Sequence, residues 1–294
     1  MLSSEGEARM CDNDRSSPLC IRIRPSLRVP GENHYRILQR HSDDTDRQGD
    51  VHELMRVWDI HPGYLNRESL LGEHREVHAI FSIVLNARKG YAHHPETLRW
   101  RSSLGALSIR HDLLVCEMLL RGYRHHSPVP SVPAAHWPKN FIDTPHMQFA
   151  ILNEKYRMKG KGRIPLPINA QQLWAQHKYS VLARAPGLYK RIGLEVARRK
   201  GREFFAGLSH NLVEALRVQP PPGRLMNALQ HMWGHVSSFN AGPVPDIANT
   251  VVLISEIWKR SRECGARYLL ESTALSDLAL WAMRDKDGKW ALEE

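Results

Sequence analysis

The sequence predicts a mostly all-α protein: a small helical domain over residues 55–166, a helical-bundle-like second domain over 167–294, and ahead of both an extension, 1–54, that is either disordered or lies upstream of the true start. Three observations predict this. From Met55 onward, apolar residues recur at helical spacing between cap and stop residues. From residue 169 these patterns are nearly continuous. Residues 1–54 contain few large apolar residues and no sustained 3.6 or 2.0 period, so they bury too little surface to offset their ordering entropy.

Each element has its own warrant. The stretch MRVWDIHPGYL is a short extended or irregular lead-in closed by Pro62-Gly63. Asn66 is an N-cap for a helix over 66–88, whose stripe Val77, Phe81, Val84 and Arg88 ends in a cation able to snorkel; Gly90 stops it. A second helix over 104–121 carries Leu107, Leu114 and Met118, with Gly122 at the C′ position. The linker between them, GYAHHPETLRWRSS, is aromatic and basic. After the proline-rich HHSPVPSVPAAHWP comes a third helix over 144–158, then the basic KGKGRIPLP that marks the domain boundary. Beyond it, helices are expected over 169–185, 186–200, 203–218, 224–238, 246–264 and 267–284, with Pro186 at an N1 position where its missing N–H costs nothing.

Charge narrows the partners. The chain has 294 residues with 41 Lys+Arg against 31 Asp+Glu, a net of +10. Residues 1–54 hold eight Arg and ten Asp+Glu, so the remaining 240 carry 33 basic against 21 acidic residues, or +12. Such an excess favours a polyanionic partner such as nucleic acid or an anionic membrane surface. No apolar run approaches the ~18–20 residues of a membrane span. Cys11, Cys20, Cys116 and Cys264 form no C-x-x-C pair, which argues against a zinc site, an iron–sulfur cluster or a disulfide framework. Without an N-terminal apolar region, a cytoplasmic location is expected.

Glu73 and Glu76 stand three apart on the first helix beside Ile80 and Ile83. Two neighbouring carboxylates in a partly apolar setting suit acid/base work, although E-x-x-E is most often a solvated face. Around them lie Arg56, Arg75, Lys89, Arg99, Arg101, Arg121 and Arg124, with Trp58, Tyr64, Tyr91, Trp100 and Tyr123. Cations neutralise phosphates and aromatic faces stack on unpaired bases, the combination expected where distorted DNA is handled. Ordinary basic surface over core aromatics is the other reading.

The stretch MRVWDIHPGYLNRESLLGEHREVHAIF, with RKGYAHHPETLRW, LLRGYRHH and DTPHMQFAILNEKYRMK, resembles the pyrimidine-dimer DNA glycosylase family typified by bacteriophage endonuclease V. The resemblance implies an N-terminal α-amine that attacks the sugar C1′, forms an imine with the opened deoxyribose and eliminates the 3′ phosphate. An α-amine of pKa ~7.7–8.0 is roughly 10–15% neutral at pH 7, whereas a lysine is only ~0.04% neutral, so the terminus is the readier nucleophile. Residue by residue, the nucleophilic position falls on Met55, followed by Arg56. The catalytic glutamate of a Y-R-E triplet falls on Glu76, and the phosphate-binding arginine beside it on Arg75. The triplet's tyrosine is His74 here, and a further family arginine falls on Ala79, beside His78. His94 and Pro95 match an H-P block. Together with the basic residues around the glutamates, this gives a DNA-binding set of Arg56, Arg75, Lys89, His94, Arg99, Arg101 and Arg121, and the resemblance implies double-stranded DNA carrying UV lesions as the partner. Imine chemistry uses amine and carboxylate alone, so neither cofactor nor metal is expected, and a monomer suffices. A free amine at Met55 requires that the active species begin there. Arg56 is too large for the usual methionine removal, which leaves that amine on the methionine itself.

The second half, from HKYSVLARAPGLYKRIG through LMNALQHMWGHVSS, resembles the YbgA-like domain of unknown function, a resemblance that supplies a fold and no reaction. His177, Asn227, Gln230 and His231 form its candidate polar site. His231 and His235 have the i, i+4 spacing of metal ligands but lack the glutamate of an H-E-x-x-H motif. A non-catalytic DNA-binding protein of the same fold, or an RNA- or nucleotide-processing protein directed by the second domain, are the alternatives.

Overall fold

Helix caps and prolines written into the chain account for most of the architecture. The computed structural model describes residues 55–130, 132–133, 136–239 and 245–284, and the expectations for residues 1–54 lie outside them. Every regular element among the described residues is helical. A one-turn 3-10 segment, Pro62–Tyr64, precedes α1 (Arg67–Leu85), and Asn66 Oδ1 caps α1 by accepting from Ser69 N at 2.9 Å. The expected linker contains α2 (Pro95–Trp100), begun by the His94 imidazole, which accepts from Glu96 N, and by Pro95. α3 (Leu104–Leu120) closes at Gly122, whose φ of +81° is a left-handed position suited to glycine. α4 (Pro145–Lys155) completes the first segment.

The second segment runs α5 (Ala170–Leu182), α6 (Pro186–Arg198), α7 (Arg202–Leu216), α8 (Pro222–Gly234), α9 (Thr250–Glu263), α10 (Arg267–Leu270) and α11 (Ala274–Met283). Asn169 caps α5, and Pro186 opens α6, as expected. The single helix expected over 267–284 is instead broken between α10 and α11. There Thr273 N donates to Gln176 O at 2.9 Å and Ser272 Oγ accepts from Ala274 N, so two side-chain-rich residues exchange intrahelical bonds for a contact with α5.

One apolar core runs through both segments. It joins Trp58, Ile80, Trp100 and Leu114 to Leu173, Val181 and Leu212. Tyr64 is fully buried at the crossing point: its hydroxyl donates to Gln176 Oε1 at 2.8 Å, its ring stacks on His177, and Phe149 meets it edge-on at 4.9 Å. α4 packs on α7, and α3 on α11. The basic stretch after α4 threads between the segments. Ile164 N donates to Gly63 O at 2.9 Å, and a Cβ at Gly162 would lie 2.4 Å from the Tyr64 carbonyl oxygen, so only glycine passes there.

Glu117 on α3 is the polar counterpart of that core. Its oxygens accept from Arg121 at 2.8 Å, from Arg163 at 2.9 and 2.7 Å, and from Ser276 Oγ on α11 at 2.6 Å. Burial alone would raise its carboxyl, but Arg163 and Arg121 more than reverse this and hold it at about 2. An acid whose folded pKa lies below its unfolded ~4.3 contributes stability above that value and loses it as the pH falls. Urea unfolding should therefore show about 3 kcal/mol of Glu117-dependent stability disappearing between roughly pH 5 and pH 2. The Glu117→Gln variant, already weaker at pH 7, should lack that component.

No helix among the described residues is long and apolar enough to cross a membrane.

Candidate active site of the first segment

The lead-in Met55–Ile60 pairs with no strand among the described residues, yet the amides of Val57 through Ile60 all donate to side chains. Val57 N donates to Glu96 on α2, Trp58 N to Glu73 on α1, and Asp59 N and Ile60 N both to Gln148 on α4, at 2.9–3.2 Å. On the carbonyl side Arg99 donates to Val57 O, Arg110 to Ile60 O at 3.0 Å, and Arg121 to the carbonyls of Pro62, Gly63 and Leu65. A buried backbone without regular structure must find such partners, and here they come from four helices. Met55 itself is buried, with its Sδ 3.5 Å from Thr97 Oγ1.

The two carboxylates of the first helix have different positions. Glu73 is buried and receives Arg110 bidentately at 2.7 and 2.9 Å; burial pushes its carboxyl up while Arg110 pulls against this. Glu76, one turn further along α1, is half-buried. Burial also raises its carboxyl, with Arg75 opposing. Beside the lead-in, Glu96 accepts from Arg99 and from Trp100 Nε1, and burial pushes it up to about 7.

An ordered lead-in at Met55, with a glutamate one turn from its anchor, coincides with the comparison by sequence, in which residues 55–131 match the pyrimidine dimer DNA glycosylase family. Residues 55–131 are a pyrimidine dimer DNA glycosylase family domain. It is fused to a domain matched over residues 178–241 by a family described as a protein of unknown function (DUF1722). No curated protein and no solved structure matches the chain.

Within the glycosylase-family domain the expected DNA-contacting residues divide into two groups. Arg75, Lys89 and Arg101 are exposed, Arg101 donating once to Ala92 O at 2.8 Å. Arg56 is partly exposed, paired with Asp143 at 2.6 Å and lying over the Trp58 ring. The other three are committed elsewhere. Arg99 is nearly buried and binds Asp59, Glu96 and the Val57 and Asn140 carbonyls. Arg121 is spent on Glu117 and three carbonyls, and the His94 imidazole accepts the Glu96 N–H that begins α2. In the described structure these groups hold backbone.

The expected polar site of the second segment is not brought together. His177 is buried against Tyr64 and bonded to Leu173 O, with burial holding its pKa down to about 4, whereas Asn227, Gln230 and His231 are exposed on α8 and share no hydrogen bond or ring contact with it. What assembles instead is Tyr179, whose hydroxyl lies 2.6 Å from His235 Nε2, with Tyr268 against both rings and Lys178 over the Tyr268 ring. The sequence reading also missed four histidines, His74, His78, His111 and His125, which converge beside α1. The i, i+4 spacing of His74 and His78 was the available signal.

Proposed function

We propose that the chain is a DNA repair glycosylase with abasic-site lyase activity on UV-induced pyrimidine dimers, acting on double-stranded DNA as a cytoplasmic monomer, with the second segment, 167–294, as an accessory domain. The observation that carries this reading is that the glycosylase-family match begins at Met55, the residue whose amine the chemistry needs. In a species starting there, the α-amine would attack C1′ of the damaged nucleoside, displace the base, and form an imine with the opened sugar. Loss of a C2′ proton then expels the 3′ phosphate. Glu76 would stabilise the cationic sugar and move protons in ring opening and elimination. The lead-in's anchors at Glu73, Glu96 and Gln148 support this by fixing the chain just beyond the amine, so the nucleophile is positioned before DNA arrives. Because the target sugar lies within a duplex, a nucleotide must be displaced, and the weakened stacking at a dimer lowers that cost.

Borohydride added to the Met55-start protein with dimer-containing or abasic duplex should trap a covalent adduct. Absence of any adduct from that species rejects the lyase reading, and salt-sensitive binding without incision would favour the non-catalytic alternative. Preference for a structured RNA over damaged duplex would favour the RNA-directed one. An adduct from the chain beginning at residue 1 would place the reacting amine elsewhere.

Of the proposed DNA-binding residues, we retain Arg56, Arg75, Lys89 and Arg101. Alanine at Arg75, Lys89 or Arg101 should weaken binding to any duplex and flatten the dependence of log affinity on log salt by about 0.9 for each phosphate that is no longer neutralised. Arg99→Ala should act on stability instead.

A further inference from the structure

We propose that His74, His78, His111 and His125 form a closed four-histidine site for a divalent transition metal, zinc in the first instance, which ties α1 to α3 and to the segment following it. One ring nitrogen from each lies within 4.8 Å of all the others, and His74 Nε2 and His125 Nε2 are 3.1 Å apart. A tetrahedral site with Zn–N bonds of ~2.0–2.1 Å requires nitrogens ~3.3–3.4 Å apart and ring centroids ~5.2 Å apart. Five of the six centroid separations are close to this: 4.6 Å for His74–His78, 5.0 Å for His78–His111, and 5.1 Å for His74–His111, His74–His125 and His111–His125. The rings are inclined to one another by 34–89°, as converging ligands are and as a stacked pile is not.

The second observation is the polarity of the nitrogens. His78 Nε2 and His111 Nε2 are buried without a hydrogen-bond partner. His111 Nδ1 lies 3.0 Å from Asp112 Oδ1, and since a carboxylate only accepts, the proton sits on Nδ1 and Nε2 presents a lone pair. This is the carboxylate–histidine arrangement that orients metal ligands. His78 Nε2, buried and without a partner, is a second nitrogen left free for a metal. An all-imidazole set suits zinc and its neighbours in the first transition row over magnesium or calcium, which take oxygen. With four protein ligands and no open position the site is structural.

Its consequence is mechanical. His74 and His78 flank Glu76 in sequence, so a metal there fixes the rotation and pitch of the helix that carries it. The full chain, stripped with a chelator and titrated with zinc alone, should bind one equivalent and raise its thermal midpoint. Cobalt(II) in place of zinc should give the intense visible bands of four-coordinate nitrogen ligation. The His74→Ala/His111→Ala double variant should weaken zinc at least 100-fold, while His231→Ala/His235→Ala leaves it unchanged. Asp112→Asn should keep the stoichiometry and lose affinity 10- to 100-fold. Because the double variant could unfold, the wild-type titration and cobalt spectrum stand as tests without it. No stoichiometric zinc uptake, a six-coordinate cobalt spectrum, or undiminished zinc affinity in a folded double variant overturns the proposal.

Discussion

Glu76→Gln in the chain beginning at Met55 should leave binding to dimer-containing duplex near the parent level and lower incision 10²- to 10⁴-fold, the range associated with losing a positioned acid/base group. That corresponds to about 3–5 kcal/mol of transition-state stabilisation. The amide is nearly isosteric with the carboxyl and sits half-buried on α1, so helix packing survives. What disappears is the negative charge against the cationic sugar and the site for the moving proton. Single-turnover incision with separately measured affinity distinguishes this from a binding defect: a fall in affinity with an unchanged rate at saturation would remove Glu76 from the chemistry. The neighbouring carboxylate gives the control. Glu73 is occupied by Arg110 and by Trp58 N, so Glu73→Gln should register first in stability.

This division between Glu73 and Glu76 could not be read from the sequence, where both occupy one helical face. Helices were legible because their signals are local: Asn66 and Asn169 cap, Pro186 opens, and Gly122 closes within a few residues of the element they define. α2 was legible in principle from His94-Pro95-Glu96. The lead-in was not, since its amides are satisfied by Glu73, Glu96 and Gln148, up to 89 positions away. Arg99 and Arg121 looked like phosphate ligands for the same reason: a cation's type is visible, but whether it meets a buried carbonyl first is decided by tertiary packing. The histidine cluster was half legible, in the His74–His78 spacing. His111 and His125 join it only because α3 lies alongside α1. The charge count at Met55 marked where the glycosylase-family domain begins, and said nothing of how its first residues are held.

Arg110→Met should destabilise the protein by about 3–5 kcal/mol, a large part of the stability of an ordinary domain. Arg110 and Glu73 are both nearly excluded from solvent, so removing the cation leaves a carboxylate with neither water nor counter-charge. Burial already lifts the Glu73 carboxyl despite Arg110, which means the pair gives little net stability while intact and becomes a liability when halved. A Glu73→Leu/Arg110→Met double variant should therefore recover part of the loss. Recovery should be incomplete, because Trp58 N and Ile60 O are then left without partners at about 1–3 kcal/mol each. Urea unfolding of the three proteins checks the order: parent, then double, then Arg110→Met. A double variant as stable as the parent would mean that those two backbone groups find water, and that the lead-in is not held as tightly as its hydrogen bonds indicate. Borohydride trapping on the same double variant separates the pair's two roles. If Glu73 and Arg110 serve to position the lead-in, the yield of trapped adduct should fall even at temperatures where the variant remains folded, because an untethered amine spends less of its time within reach of C1′.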